Sequence, residues 1–153
     1  MKICCFAGHA TLYDNEEIIK QKLKKEIINL IERENVTTFY SGGKGAFDWL
    51  CAGTLKELKK DYSYIKSYLI LAYIPKERGS PESRLYKEMF AKIIYPEIEN
   101  VPKRFAILKR NEYMVNESNF LIAYVRYPGG ALKILEYAEK RRKIKIINIA
   151  KEE

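Results

Sequence analysis

Apolar residues along the chain alternate between short continuous runs and stretches with helical spacing. Continuous runs such as residues 36–40 favour buried strands, whereas the stripe through Ile19, Leu23 and Ile27 favours an amphipathic helix. We predict strands at residues 2–7, 36–40, 67–74, 104–108, 120–125 and 144–149. We predict helices at residues 15–34, 47–58, 84–94, 111–118 and 131–142. This order is typical of an α/β domain with a mostly parallel sheet of about six strands and helices on both faces.

Local signals refine two boundaries in this scheme. Asp14, with Glu17 three residues later, predicts a capping box at the start of the first helix. Residues 76–82 combine charges with Gly, Ser and Pro, which predicts an exposed loop in the position of a mobile lid. The length of 153 residues is that of one ordinary domain, so we expect residues 1–153 to form a single domain.

Composition excludes several classes of protein. Hydrophobic residues make up 47% and charged residues 31%, which argues against a disordered or collagen-like chain. The net charge of +8 suits an anionic partner, without deciding between a nucleotide, a nucleic acid and a membrane surface. The first apolar run turns polar at Gly8 and is too short for a signal peptide or a membrane span. We expect a soluble cytoplasmic protein with no membrane partner.

Cysteine and histidine usage bears on metals and on the cellular compartment. Cys4, Cys5 and Cys51 are odd in number and form no CxxC pair, a pattern that fits a reducing cytoplasm. With His9 as the single histidine, no zinc constellation of four ligands can be assembled at the usual spacings. We therefore predict no metal site and no required cofactor.

Three glycine-containing loops follow predicted strands. They contain Gly8 and His9, then Ser41, Gly42 and Gly43, and last Pro128, Gly129 and Gly130. Because parallel strands place such loops at one sheet edge, we expect the three to converge. Glycines before a helix let a ligand approach the backbone and leave N–H groups that bind phosphate. None of the loops matches the dinucleotide or P-loop patterns, so we predict a nucleotide or phosphate site of another kind, with simple tight turns as the alternative.

Side chains near these loops are further candidates for ligand contact. His9 is placed to hydrogen-bond a ligand or act as an acid or base, or else to cap its own loop. Lys44 is expected near the phosphate. Asp48, in the first turn of a helix, is expected to accept a hydrogen bond from a ribose hydroxyl or to cap that helix.

Short motifs spread over nearly the whole chain resemble those of the SLOG superfamily. The motifs are CCFAGH at 4–9, FYSGGKGAFD at 39–48, RNEYMV at 110–115 and GGA at 129–131. The chain looks nearest to the YpsA-like bacterial proteins of that superfamily. The resemblance implies a three-layer Rossmann-like fold. The superfamily also includes the LONELY GUY phosphoribohydrolases and the DNA-processing protein DprA.

The LONELY GUY pattern R-K-x-x-M, followed by P-G-G-x-G-T-x-x-E, is partly present. Arg110 and Met114 match the first part, and Pro128 and Glu136 frame the second at the family spacing. The resemblance implies catalytic roles for two of them: Arg110 would hold a phosphate and Glu136 would stabilise charge on a ribose. Asn111 replaces the lysine, and leucine and lysine replace the G-T pair. For both candidates, a plain surface role is the alternative.

Together these features favour binding of a nucleotide or nucleotide-derived phosphate ligand, by a regulator or sensor. The alternative is an N-glycosidic hydrolase, a phosphoribohydrolase acting on a nucleoside monophosphate. Single-stranded nucleic acid binding, by analogy with DprA, is less favoured because the lysines and arginines are interspersed with glutamates. Family analogy also implies a homo-oligomer.

Overall fold

Strands and helices alternate through the part of the chain that the computed structural model describes, residues 1–73, 81–96, 98 and 100–150. The strands are β1 (Lys2–Gly8), β2 (Val36–Ser41), β3 (Lys66–Ile70), β4 (Lys92–Ile94), β5 (Phe120–Tyr124) and β6 (Lys145–Asn148). The helices are α1 (Glu16–Glu34), α2 (Gly45–Leu58), α3 (Pro81–Met89), α4 (Lys103–Glu117) and α5 (Gly130–Arg141).

All the described strands join one parallel sheet in the order β4-β3-β2-β1-β5-β6. The predicted α/β class and the six-stranded sheet are confirmed. From β1 the chain builds outwards through β2, β3 and β4, and then returns to place β5 on the other side of β1. The sheet therefore changes its direction of growth between β1 and β5, the position at which open α/β sheets leave a crevice.

The alternation of buried side chains along β1 explains why both sheet faces are covered. Cys4 and Phe6 belong to the core shared with α1 and α2, whereas Cys5 and Ala7 belong to the core shared with α4 and α5. Successive residues of a strand point to opposite faces, so a strand that is apolar from Ile3 to Ala7 contributes to two cores. The result is the predicted three-layer arrangement.

The predicted fourth strand at residues 104–108 is wrong, because these residues belong to α4. Ala106, Arg110 and Met114 are buried at intervals of four residues, the spacing of a helix face that contacts the core. The apolar run has only four residues, 105–108, and so short a run cannot be distinguished from one turn of a helix by its pattern alone. The prediction of a short helix over 111–118 therefore captured only the second half of α4.

The fourth strand lies instead at Lys92–Ile94, which the prediction assigned to the end of the helix 84–94. Pairing of Tyr68 with Lys92 and of Ile70 with Ile94 fixes this short edge strand, so its conformation depends on β3. The third strand ends at Ile70, earlier than predicted. Of the predicted loop at 76–82, the last two residues begin α3 and the others lie outside the described residues.

The start of α1 differs from prediction by one residue. Asn15, and not Asp14, caps the helix: its side-chain oxygen accepts from the N–H groups of Glu17 at 2.9 Å and Ile18 at 3.3 Å. The predicted capping box is wrong because the carboxylate of Asp14 is held elsewhere, by Tyr124 and Arg126.

The three cysteines are free and buried. Burial raises the pKa of the Cys5 thiol to about 12, so it stays protonated. Among the described residues, no helix combines the length and apolar character needed to cross a bilayer.

Candidate functional site

A cleft of about 390 Å³ opens at the carboxyl ends of β1 and β5, where the sheet changes direction. Seven of the predicted site residues line it: Gly8, His9, Lys44, Asp48, Arg110, Gly129 and Gly130. Within the described chain, the other five do not line it: Ser41, Gly42, Gly43, Pro128 and Glu136. The loop after β1 therefore contributes both of its predicted residues to the cleft, the loop after β5 contributes its two glycines, and Ser41, Gly42 and Gly43 contribute none.

Two N–H groups in the first turn of α2 donate hydrogen bonds to carbonyls within the protein. The N–H of Ala46 donates to the carbonyl of Ala10 at 2.8 Å, and the N–H of Phe47 donates to the carbonyl of His9 at 3.4 Å. These bonds join the loop after β1 to the start of α2. They occupy donors that a helix N-terminus otherwise offers to a ligand.

Two amides of the turn between β2 and α2 are also hydrogen-bonded within the protein. The N–H of Gly43 donates to the hydroxyl of Ser41 at 3.3 Å, and the N–H of Lys44 donates to the carboxyl of Asp48 at 3.0 Å. The amides of Gly43 and Lys44 are therefore already paired within the protein. Lys44 at the end of this turn lines the cleft, as do Gly45 and Asp48 in the first turn of α2.

Arg110 is the buried cation of the site, with 3% of its surface exposed. Its Nη1 donates to the carbonyls of Gly42 at 3.0 Å and Ile70 at 3.1 Å, and its Nε donates to Asn111 Oδ1 at 2.8 Å. The guanidinium therefore ties α4 to the ends of β2 and β3. A Cβ at Gly42 would lie 2.9 Å from the Arg110 guanidinium, so this glycine is needed for the close approach.

Asp48 is a buried carboxyl group whose acidity is strongly changed. Burial raises its pKa to about 6, while the Lys44 N–H and the charge of Arg110 act in the opposite direction. The group thus titrates close to neutral pH while lining the cleft. A carboxyl group in such a setting can donate or accept a proton, or accept a ligand hydroxyl.

Asp48 should make the stability of the protein fall as the pH rises. Because its folded pKa of about 6 exceeds the ordinary value of 3.8 for an aspartic acid, the folded state binds the proton more tightly than the unfolded state. Linkage then predicts a loss of about 2 kcal/mol of unfolding free energy between roughly pH 4.5 and 7.5 from this group. The loss should be absent in Asp48→Asn, whose amide can still accept from Lys44. Urea denaturation across this pH range measures it.

The effect of His9 on stability has to be separated from that of Asp48 in this experiment. Burial lowers its pKa, so its contribution to stability rises with pH, opposite in sign to that of Asp48. Both proteins retain His9, and the difference between the wild-type and Asp48→Asn slopes therefore isolates the carboxyl group. Equal slopes for the two proteins would contradict the raised pKa.

His9 connects the loop after β1 to the loop after β5. Its Nε2 accepts from the N–H of Arg126 at 2.9 Å, and its ring stacks on Tyr127 with centroids 3.6 Å apart. An imidazole nitrogen that accepts a hydrogen bond carries no proton, so His9 is neutral here. The predicted loop-capping role fits these contacts. An acid–base role through Nε2 would require this bond to break.

Sequence reasoning missed a second connection between the same loops. The Asp14 carboxylate accepts from the hydroxyl of Tyr124 and forms an ion pair with Arg126. Both contacts span more than 100 residues of sequence. No local pattern links such distant positions.

The turn before α5 differs from the turn before α2. No side chain caps α5 at Gly129, whose φ of +153° strongly favours glycine. A Cβ built on Gly129 or Gly130 would meet no heavy atom within 4 Å, their chain neighbours aside. The start of α5 is therefore sterically open to a ligand.

Glu136 lies on the exposed side of α5, outside the residues that line the cleft. Pro128 is exposed in the turn before α5. No group of three or more metal-ligating side chains occurs among the described residues. The cleft therefore offers the charged or titratable side chains of Lys44, Asp48 and Arg110 beside the start of α5.

Comparison with known proteins places the chain in a family. The model of the YspA SLOG family matches residues 6–149. The uncharacterized SPbeta prophage-derived protein YoqJ of Bacillus subtilis (strain 168) is 29% identical over 140 residues, which cover 80% of this chain and 81% of that protein.

Two solved structures share the fold. The DNA processing protein A from Helicobacter pylori, described by its single-stranded DNA binding mode, matches 93% of this chain with a TM-score of 0.64 and 15% identity. This chain spans only 62% of that protein. The structural-genomics target TM1055 matches 94% of this chain and 71% of its own, with a TM-score of 0.57 and 13% identity. The family match confirms the SLOG resemblance, and the chain belongs to the YspA SLOG family.

Proposed function

We propose that the cleft binds a nucleotide or a nucleotide-derived phosphate ligand, and that the protein acts as a regulator or sensor. The observation that carries the proposal is the sterically open start of α5 at the crevice between β1 and β5. N–H groups in the first turn of a helix have no acceptor within the helix, and the helix dipole favours an anion there. Lys44 and Arg110 line the same cleft and add positive charge.

Binding is favoured over turnover by the positions of the two residues that the hydrolase alternative requires. Glu136 is exposed and does not line the cleft, so it does not face a ribose held there. Arg110 already donates to two backbone carbonyls and to Asn111. The cleft therefore suits recognition of a phosphate better than cleavage of a glycosidic bond.

Gly130→Asp should remove phosphate binding without harming the fold. The new carboxylate fits because the Cβ position is open, and it stabilises the start of a helix. It also places a negative charge where the ligand phosphate is expected. The affinity for the best-binding member of AMP, GMP, CMP and UMP should fall at least about tenfold in isothermal titration calorimetry.

Gly130→Asn is the matched control, since it has nearly the same shape without the charge. It should keep most of the affinity, and equal binding by the two variants would contradict a phosphate at this position. Chromatography of the same mixtures detects release of free base, which would favour the hydrolase. Binding of a single-stranded oligonucleotide that weakens steeply with salt would favour nucleic acid instead.

A further inference from the structure

A second cavity of about 440 Å³ lies between α4 and α5. On α5 it is lined by Gly130, Lys133, Ile134 and Tyr137, which share one helix face at intervals of three and four residues. On α4 its lining includes Leu108, which is 44% exposed. We refer to this cavity as the α4–α5 groove. A contiguous apolar patch on a protein surface often marks a site that binds a ligand or another protein.

The α4–α5 groove is continuous with the cleft at the carboxyl ends of β1 and β5. Four residues line both: Ile107, Asn111, Gly130 and Ile134. Gly130, at the start of α5, therefore marks the point where the two cavities meet. From Gly130 to Tyr137 the helix rises by about 10 Å, a length suited to one nucleotide. A molecule with its phosphate at the start of α5 has the groove directly beside it.

The lining of the groove combines apolar walls with polar edges. Ile107, Leu108 and Ile134 provide apolar contact area, while Asn111 and Glu112 provide groups that donate and accept hydrogen bonds. The Asn111 carbonyl oxygen is held by Arg110 Nε at 2.8 Å, which orients its amide nitrogen as a donor. A planar heteroaromatic base needs apolar faces together with donors and acceptors along its edge, whereas an acyl chain would leave these polar groups unpaired.

We propose that the α4–α5 groove binds the base of the nucleotide whose phosphate lies at the start of α5. The inference rests on the proposed function and adds which part of the molecule lies where. The ligand is accordingly a single nucleotide that spans both cavities. The protein distinguishes it from a sugar phosphate by contacts to the base.

The test compares two probes on matched variants. Ribose 5-phosphate can occupy only the phosphate end, whereas the best-binding nucleoside monophosphate reaches both cavities. Leu108→Asn should weaken the nucleotide by about tenfold and leave ribose 5-phosphate unchanged, because only the base loses apolar contact. Leu85→Asn on α3 is the matched control, since Leu85 is also 44% exposed and lies outside the groove. It should change neither affinity.

Several outcomes would overturn the inference, and they separate it from the proposed function. If Gly130→Asp abolishes binding of both probes but Leu108→Asn affects them equally, the phosphate site stands and the base lies elsewhere. The same holds if Leu108→Asn instead converts a dimer into a monomer in sedimentation, which would assign the groove to a second copy of the chain. If neither probe binds the wild type, both proposals fail.

Discussion

Replacing Arg110 with methionine is expected to lower the free energy of unfolding by about 4 kcal/mol. The side chain is 3% exposed and donates to the carbonyls of Gly42 and Ile70. Methionine fills a similar volume but leaves both carbonyls without this donor and removes the cation near Asp48. Because Arg110 lowers the Asp48 pKa, that pKa should also rise further. Urea denaturation at several pH values measures both effects.

The control for Arg110→Met is Lys109→Met on the same helix. Lys109 carries the same charge, but its ion pair with Glu112 is exposed to solvent, with 52% of the lysine side chain accessible. Exposed ion pairs contribute little to stability, so the denaturation midpoint should hardly change. Similar losses for the two variants would show that the loss of charge, and not the buried hydrogen bonds, accounts for the effect.

Gly8→Ala is expected to destabilise the protein by about 3 kcal/mol, the upper end of the range for overpacking a core. A Cβ at Gly8 would lie 2.2 Å from Phe47 Cδ2 and 2.6 Å from Phe47 Cβ. Phe47 is fully buried and stacks on Tyr124, so it cannot move without disturbing the core. The start of α2 would shift away from β1, and nucleotide binding should weaken together with the thermal midpoint.

Two further variants test this explanation. Gly53→Ala, within α2, should be neutral or stabilising, because nothing lies within 4 Å of its Cβ and alanine favours helices. The double variant Gly8→Ala with Phe47→Ala should lose less stability than the sum of the two single losses, since truncation of the ring removes the closest clash. Additive losses would mean that the collision with Phe47 is not the cause.

The α/β class could be predicted because buried strands and amphipathic helices have different hydrophobic periods. The prediction of strands and helices was wrong where an apolar run was short. Residues 104–108 carry no period that separates a strand from a helical turn, and Lys92–Ile94 becomes a strand only by pairing with β3. The Asp14 capping box failed for a related reason, because its carboxylate is held by distant Tyr124 and Arg126.

The position of the cleft could be predicted from the sequence, whereas the hydrogen bonding of its backbone amides could not. Glycine loops after parallel strands must meet at one sheet edge, which is why Gly8, His9, Gly129 and Gly130 line one cleft. Two equivalent-looking turns nevertheless differ. Amides at the start of α2 are paired with Ala10, His9 and Asp48, whereas the start of α5 is sterically open. Ala10 and His9 belong to the loop after β1, so the sequence near α2 does not encode these two partners, although Asp48 lies in α2 itself.

The amino-acid sequence alone determined the layer architecture, the sheet edge that carries the loops and the family, because these depend on local periodicity and short motifs. The tertiary structure alone decided which backbone donors remain for a ligand. It also decided that Arg110 donates hydrogen bonds to the carbonyls of Gly42 and Ile70, at the ends of β2 and β3, and that the pKa of Asp48 is about 6. The physical reason is that burial and hydrogen bonding depend on groups far apart in the chain.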